Sequence, residues 1–316
     1  MIPARLDDSR KGDAMEDRNS LLKTIPAKAI VTRTKNRSWF GTDYTMNIYR
    51  GCCHGCIYCD SRSECYHIDE FDRVRAKENA LEIIRDDLRR KAGTGVVGTG
   101  AMSDPYNPFE REALLTRHAL ELLAAFGFGA VVATKSDLIA RDADVLQEIA
   151  ADSPVLCQLT VTTADDGLAA KLEPRAPAPS ARFEALRALS RAGVYTGVLL
   201  MPVLPFLEDG EENIRAVAER AAECGARFVY PFFGVTLRQN QREYYFDRLE
   251  EAFPGAGLAA RYRRQYGSEY SCRSPRIRAL RQAFEETCGR CGLLYKMQDI
   301  IRGYTLGYSD RQLRLF

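Results

Sequence analysis

Apolar, β-branched runs alternate with amphipathic stretches along most of this chain. The strand-like runs lie at 43–50, 95–101, 129–135, 155–163, 194–203 and 226–234, and Gly, Ser or Pro residues bound most of them. Between these runs, apolar residues return at helical spacing. Leu81, Ile84 and Leu88 share one helical face, for example. Six repeats of strand and helix predict a parallel sheet with helical crossovers.

The alternation divides the chain into three parts. Residues 1–42 are mostly polar and irregular and form an N-terminal extension. Residues 43–240 form the alternating core, and residues 241–316 form a helical, basic C-terminal region. Six strand–helix units are too few for a complete eight-fold barrel.

Composition indicates an ordinary globular protein, with 316 residues, 46% hydrophobic, 28% charged and a net charge of +2. No apolar run approaches the roughly 18–20 residues that a membrane span needs, so no membrane association is expected. Residues 1–5 lack the apolar core of a signal peptide. Ten cysteines without an export signal favour metal binding in a reducing compartment, so we expect a cytoplasmic protein.

The most informative motif is a cysteine-rich loop after the first strand-like run. Cys52, Cys56 and Cys59 stand at C-x3-C-x2-C spacing, so one tight loop can direct three thiolates at one metal centre. An iron–sulfur cube takes one Cys thiolate per iron, and three thiolates would leave one iron open for a small ligand. The alternative is a structural zinc site that recruits His54. Zinc sites usually combine two C-x2-C pairs or a Cys/His set, and no second pair lies close by.

This loop resembles the radical S-adenosylmethionine (SAM) superfamily, in which C-x3-C-x-aromatic-C holds a [4Fe–4S] cluster. Tyr58 stands at the aromatic position. The resemblance implies an α/β fold, a partial (β/α)6 barrel whose open side faces a large substrate. It also implies that SAM binds the open iron, and that reductive cleavage gives a 5′-deoxyadenosyl radical that takes hydrogen from the substrate. A reductant such as flavodoxin or ferredoxin is then an expected partner.

Further motifs follow the later strand-like runs in order. They are Gly100-Ala101-Met102-Ser103-Asp104, Thr134-Lys135, Thr160-Val161-Thr162 and Glu173-Pro174. Each alone has an ordinary explanation: a turn, a solvated lysine or threonines as good strand formers. In this order they resemble the spore photoproduct lyase-like branch of the superfamily, over about residues 28–240. Parallel barrels carry their active sites at the C-terminal ends of the strands, and these motifs lie at such ends.

The resemblance implies SAM contacts at Tyr58, Gly100, Ser103, Asp104, Lys135, Thr160, Thr162 and Glu173. Within this set, Lys135 would meet the SAM carboxylate and the second-strand segment would hold the amino group. Thr160 would lie near the ribose or the amino acid part, and Tyr58 near the adenine. Glu173 would either bind the nucleoside or pair with Arg175.

The same branch contains the enzyme that reverses a thymine dimer in spore DNA, so the resemblance favours a nucleic-acid substrate and a lyase role in DNA repair. One position departs from the lyase pattern, because Ala101 stands where the lyase has its hydrogen-donating cysteine. Cys53, Cys65 and Cys157 are candidate substitutes, although each is more typical of a small buried residue. The alternatives are a radical SAM enzyme that acts on a peptide or RNA, and a non-catalytic iron–sulfur or zinc module recruited to DNA.

The C-terminal region adds two weaker signals. Cys272, Cys288 and Cys291 either hold a second metal site or are buried thiols, since a single C-x2-C pair indicates little. Seven arginines between residues 261 and 281 are interleaved with Tyr262, Tyr266 and Tyr270. They either bind phosphates and stack on bases or form a solvated helical face.

The last five residues resemble the Q-L-x-L-F peptide by which bacterial DNA-repair and replication proteins dock on the sliding clamp. Gln312 would supply a polar anchor, while Leu313, Leu315 and Phe316 would fill an apolar groove. A frayed terminus is the ordinary alternative. Sliding clamp and nucleic acid are therefore the expected macromolecular partners.

Overall fold

The computed structural model describes residues 22–308 of the 316-residue chain. The first part of the predicted N-terminal extension lies outside the described residues. So does the clamp-like peptide with Gln312, Leu313, Leu315 and Phe316.

A seven-stranded sheet with the strand order β10-β9-β8-β7-β6-β3-β2 forms the centre of the fold. Its neighbours from β3 to β10 pair in parallel, whereas β2 joins β3 antiparallel at one edge. The predicted six parallel strands and the α/β fold class are thereby confirmed. The strands are β1 (Lys23–Ile25), β2 (Val31–Arg33), β3 (Tyr44–Met46), β4 (Tyr49–Arg50), β5 (Arg75–Lys77), β6 (Val96–Thr99), β7 (Gly129–Thr134), β8 (Val155–Thr160), β9 (Thr196–Leu200), β10 (Phe228–Pro231), β11 (Gly234–Thr236) and β12 (Ser271–Arg273).

Two predicted strands are each divided in the structure. The run at 43–50 supplies β3 to the central sheet and then β4 to a small sheet with β1 and β5. Its continuous apolar pattern hides the change of partner, because Tyr49 is buried against Ala76 of β5. Within the run at 226–234, β10 ends at Pro231 and β11 begins at Gly234. The strand β11 pairs with β12 and not with the central sheet.

Helices cover the outer face of the sheet. In α1, Ile84 and Leu88 are buried, as their spacing predicts. The helices are α1 (Ala80–Arg89), α2 (Glu110–Ala113), α3 (Leu115–Ala125), α4 (Ala143–Asp152), α5 (Asp166–Leu172), α6 (Pro179–Arg191), α7 (Glu211–Glu223), α8 (Gln239–Ala252), α9 (Leu258–Tyr266), α10 (Ile277–Cys291) and α11 (Met297–Thr305), with 3₁₀ turns at Asp60–Arg62, Glu64–Tyr66 and Asp137–Asp142.

The inner face of the sheet is filled near the N-terminal ends of the strands. Ile300 and Tyr304 of α11 pack there with Phe40 in one buried cluster, whose strand members are Val96, Val131, Leu156, Leu199 and Phe228. Tyr304 Oη donates a hydrogen bond of 2.6 Å to the Phe40 carbonyl. The barrel is therefore a cup that α11 closes at its base.

Aromatic side chains bridge the open side of the barrel. Trp39, from the loop between β2 and β3, meets Tyr230 of β10 edge to face, with ring centroids 5.5 Å apart. Phe40 lies 5.6 Å from the same Tyr230 ring. These rings therefore connect the loop before β3 with the edge strand β10 across the open side of the barrel.

The C-terminal helices are integrated with the barrel. Leu280, Phe284 and Cys288 of α10 belong to the main core, and α10 packs along α7. Helices α8 and α9 share a second core with the cysteine loop, in which Tyr58 and Tyr245 are both buried. Among residues 22–308, no helix is both long and apolar enough to cross a membrane.

Candidate active site

One cavity opens at the C-terminal ends of the parallel strands, directly beside the cysteine loop. Eight of the predicted site residues line it: Cys52, Cys56, Cys59, Gly100, Ser103, Asp104, Lys135 and Thr160. His54, Ser61, Ala101, Met102, Ala133 and Thr134 complete the lining. Tyr58, Thr162 and Glu173 are buried behind this surface. The cavity thus joins side chains that are far apart in sequence.

Backbone hydrogen bonds to neighbouring segments hold the cysteine loop in place. Cys52 N donates to the Phe71 carbonyl at 2.8 Å, and Ile57 N donates to the Leu172 carbonyl at 2.9 Å. Gly51 has a φ of +80°, and a Cβ there would lie 2.4 Å from the Arg73 carbonyl oxygen. Only glycine fits this turn, so the loop is fixed before any ligand binds.

The three thiols suit an iron–sulfur cluster better than a single metal ion. Within the described residues, no three His, Cys, Asp or Glu side chains converge as they would around one ion. In a cube each thiolate binds a different iron, so sharing one cavity is sufficient. Burial raises the pKa of Cys52 to about 12 and also raises that of Cys56. A bound metal deprotonates such thiols outright.

Asp104 connects the loop to the neighbouring strand ends. Its Oδ1 accepts hydrogen bonds from Thr134 Oγ1 at 2.6 Å and from Tyr106 N at 2.9 Å. Its Oδ2 accepts from Lys135 N at 2.8 Å and lies 3.4 Å from His54 Nδ1. His54, the alternative zinc ligand, therefore faces a carboxylate. Both Asp104 oxygens are occupied, which suits a positioning role.

Lys135 presents an unpaired charge to the cavity. Within residues 22–308 its ammonium group makes no ion pair or hydrogen bond, and it lies over the Tyr58 ring, with the centroid 5.6 Å from Nζ. Gly100, which lines the same cavity, has a φ of +98°. A side chain there would collide with the Ala133 backbone, so the strand end stays bare. The cavity combines a cation, a bare backbone segment and three thiols.

A buried polar network lies behind Lys135. Tyr58 Oη donates to one oxygen of Glu173, and Arg182 Nη2 donates to the other. Arg182 Nη1 also donates to the Thr160 carbonyl at 2.9 Å. Burial alone would raise the pKa of Glu173, but the charges of Arg182 and Lys135 lower it below its ordinary value. Glu173 therefore stays ionised and braces both Tyr58 and the end of β8.

The predicted alternative of a Glu173–Arg175 pair is wrong. Arg175 Nε donates to the Cys53 carbonyl at 2.6 Å, and its Nη2 lies 3.2 Å from Asp72. The partner of Glu173 is Arg182, which stands on α6 and is 1% exposed. Nothing in the sequence distinguishes Arg182 from the other arginines of that helix.

Thr162 belongs to a second buried acid site. Its Oγ1 donates to Glu208 Oε1 at 2.6 Å, while Leu204 N donates to Glu208 Oε2 at 2.9 Å. Burial raises the pKa of Glu208 to about 8. Sequence reasoning missed Glu208, which follows the apolar segment 203–207 with no motif to mark it.

The family profile of the radical SAM superfamily matches residues 46–218, more than half of the chain. This chain belongs to the radical SAM superfamily. An uncharacterised protein of Mycobacterium tuberculosis is 32% identical over 249 residues, which cover 77% of this chain and 72% of the relative. Another from Methanocaldococcus jannaschii is 30% identical over 190 residues, covering 59% of this chain and 69% of that protein.

Solved structures of spore photoproduct lyase share the fold. One with bound AdoMet and dinucleoside spore photoproduct has a TM-score of 0.61 and 14% identity, covering 94% of this chain and 87% of the other. Another, a point mutant, reaches a TM-score of 0.63 at 13% identity. Radical SAM enzymes use a [4Fe–4S] cluster and SAM, and the three thiols of the cavity fit that cluster. The chain is a radical SAM enzyme.

Deeper in the radical SAM barrel lies a polar residue that sequence reasoning missed. On β8, Leu156 packs in the base of the cup and Thr160 lines the cavity. Gln158 lies between them on the same face, because side chains alternate along a strand. It is 2% exposed, and its Oε1 has no hydrogen-bond partner among the described residues. The sequence did contain a signal for Gln158: it stands two residues before Thr160 on the same predicted strand, and side chains two apart point to the same face.

The candidate thiols for hydrogen return do not line this cavity, whereas Ala101 does. Cys157 is buried in the core between sheet and helices, Cys53 lines a neighbouring cavity, and Cys65 is exposed. The thiols that reach the cavity from the described part of the chain are the three of the cysteine loop.

The C-terminal signals are also resolved in part. Cys288 is buried in the main core with Cys291 packed against it, while Cys272 is buried in the second core. In the basic stretch, Tyr262 and Tyr266 are buried, and Tyr262 Oη donates to the Pro205 carbonyl at 2.9 Å. These two tyrosines stabilise the fold and have no free face for a base.

Proposed function

We propose that this radical SAM enzyme takes a hydrogen atom from a nucleic acid. The observation that carries the proposal is the fold it shares, over 94% of its length, with a lyase structure that holds AdoMet and a dinucleoside. A shared fold alone is an analogy. The cavity supports the radical SAM chemistry of the proposal, because the three thiols, the Lys135 cation and the bare strand end at Gly100 all line it.

The described residues divide the work of binding as follows. Cys52, Cys56 and Cys59 hold the cluster, which when bound supplies the electron that cleaves SAM. Lys135 holds the SAM carboxylate as a point charge, and Gly100 lets the ligand approach the backbone closely. Ser103, Asp104, Thr160, Thr162, Tyr58 and Glu173 shape or brace this site.

The reaction we propose does not return hydrogen from a protein thiol of the cavity. Ala101 occupies the lining position at which a donor would be needed, and the cluster cysteines are committed to iron. A thiol-dependent dimer reversal is therefore disfavoured. A DNA-repair lyase role requires another route by which the product radical regains hydrogen.

An isotope experiment tests the proposal. Anaerobic enzyme is mixed with dithionite, SAM and fully deuterated oligonucleotides. The deuterium content of the 5′-deoxyadenosine that forms is then measured by mass spectrometry. Deuterium in 5′-deoxyadenosine is expected with a nucleic acid. Transfer only from a deuterated peptide would overturn the nucleic-acid assignment. The Cys56→Ala variant should lose iron and produce no 5′-deoxyadenosine, whereas Cys157→Ala should keep both.

Two partners and a cellular location complete the proposal. Residues 312–316 dock on a sliding clamp, a flavodoxin or ferredoxin reduces the cluster, and the enzyme works in the cytoplasm, where thiols stay reduced. Pull-down with a sliding clamp tests the first. Equal capture of the full chain and a chain that stops after Arg311 would contradict it.

A further inference from the structure

A groove lies beside the C-terminal end of β10, the edge strand of the barrel. Its lining includes Tyr230, Phe232, Tyr295, Arg273, Arg281 and Lys296, and we call it the edge groove. The strand β10 pairs with β9 on one side only, while its other side touches Leu294 through a single bridge. The edge groove therefore opens on the unpaired side of the barrel, at the same end of the sheet as the cavity.

Aromatic rings form the floor of the edge groove. Tyr230, Phe232 and Tyr295 each line the groove and are each half-buried. The Tyr295 ring meets Phe284 edge to face at 5.6 Å between centroids, and Tyr230 is held against Trp39 in the same way. Rings held by packing lose little freedom when a flat ligand stacks on them.

Unpaired cations form the wall. Arg273, Arg281 and Lys296 are exposed, and none makes an ion pair within residues 22–308. Glu285 alone is acidic among the described residues that line the groove. Arginines just outside it do have partners: Arg276 lies 3.4 Å from Glu211, for example. Three free cations over an aromatic floor make a surface suited to phosphates and bases together.

We propose that the edge groove binds a single strand of nucleic acid and leads it to the cavity. Basic grooves with aromatic rings are the common means of holding unpaired strands, because every base has a face for stacking. This inference rests on the proposed function and specifies the form of its substrate. An acidic peptide would use the cations but has no need of the rings, so the rings favour the nucleic acid.

Fluorescence anisotropy with labelled dT12 tests the groove on reconstituted full-length enzyme, with the matching duplex and a poly-glutamate of equal charge as competitors. For Arg281→Ala/Lys296→Ala, the slope of log K against log salt should fall by about 1.4, at 0.7 per lost phosphate contact. Tyr295→Leu should weaken dT12 binding about tenfold. The control pair Arg89→Ala/Arg191→Ala removes two exposed cations elsewhere and should change neither quantity. Unchanged iron content shows that each variant is folded.

The outcomes separate the two proposals. If dT12 binds and every variant binds it as the wild type does, the edge groove is wrong while a nucleic-acid substrate survives. If Tyr295→Leu has no effect, or poly-glutamate competes as well as dT12, the groove recognises charge alone and the inference is overturned. If the wild type binds neither strand nor duplex, both the groove and the proposed substrate class fail.

Discussion

Replacing Arg182 by methionine should destabilise the protein strongly, because it leaves Glu173 charged and buried. Both side chains are about 1% exposed. Breaking one partner from such a pair costs about 3–5 kcal/mol. Arg182 also donates to the Pro177 and Thr160 carbonyls, at 2.8 and 2.9 Å, which adds to this loss. We expect the free energy of unfolding to fall by at least about 3 kcal/mol.

A double-mutant cycle in urea isolates the charge effect. The variant Glu173→Gln/Arg182→Met has no buried charge left at this pair, so it should be more stable than Arg182→Met by at least about 1 kcal/mol. Arg191→Met, an exposed position on the same helix α6, should cost less than about 0.5 kcal/mol. The cycle also requires the single variant Glu173→Gln. If Arg182→Met costs no more than Arg191→Met, or if the effects of Glu173→Gln and Arg182→Met on the free energy of unfolding simply add, the proposed bracing of Glu173 is refuted.

Three further changes test other parts of the site. Burial raises the pKa of Glu208 from 4.5 to about 8, so its stabilising contribution is complete below pH 4.5 and is lost as the pH rises through 8. The stability of the wild type relative to Glu208→Gln should therefore decline from pH 5 to pH 8 in urea unfolding, and a constant difference would contradict this. Gly100→Ala places a Cβ 1.9 Å from the Ala133 carbonyl oxygen and should cost more than ~2 kcal/mol and impair SAM binding in equilibrium dialysis. Gly193→Ala, with φ +80° but open space, should cost only about 1–2 kcal/mol, and equal losses would exclude the clash. Gln158→Leu removes a buried amide oxygen that has no partner among the described residues and should stabilise the ligand-free protein by about 1–3 kcal/mol, whereas a lower melting temperature would show that this oxygen is satisfied.

The sequence predicts the barrel and the position of the cysteine loop well, because both depend on local order. Six apolar runs separated by helical patterns can form few arrangements other than a parallel sheet. The loop carries its three thiols within eight residues, so no long-range contact is needed to bring Cys52, Cys56 and Cys59 together.

Features that depend on long-range contacts could not be predicted. The break between β3 and β4 follows from pairing with Ala76, which the apolar run itself does not encode. The roles of Arg182 and Glu208 depend on how α6 and the loop after β9 pack behind the cavity, which no local sequence pattern specifies. Helix α11, which closes the base of the barrel, likewise has the sequence pattern of any other amphipathic helix in the C-terminal region.

The aromatic bridge across the open side of the barrel has a practical consequence. Trp39 is the single tryptophan of the chain, is 44% exposed, and touches Tyr230 across the open side of the barrel. Tryptophan emission from the unlabelled protein, excited at wavelengths that tyrosine does not absorb, therefore comes from one known place. Trp39 is therefore an intrinsic fluorescent probe at the open side of the barrel, and the binding rate of a stacking ligand can be followed through it by stopped-flow fluorescence.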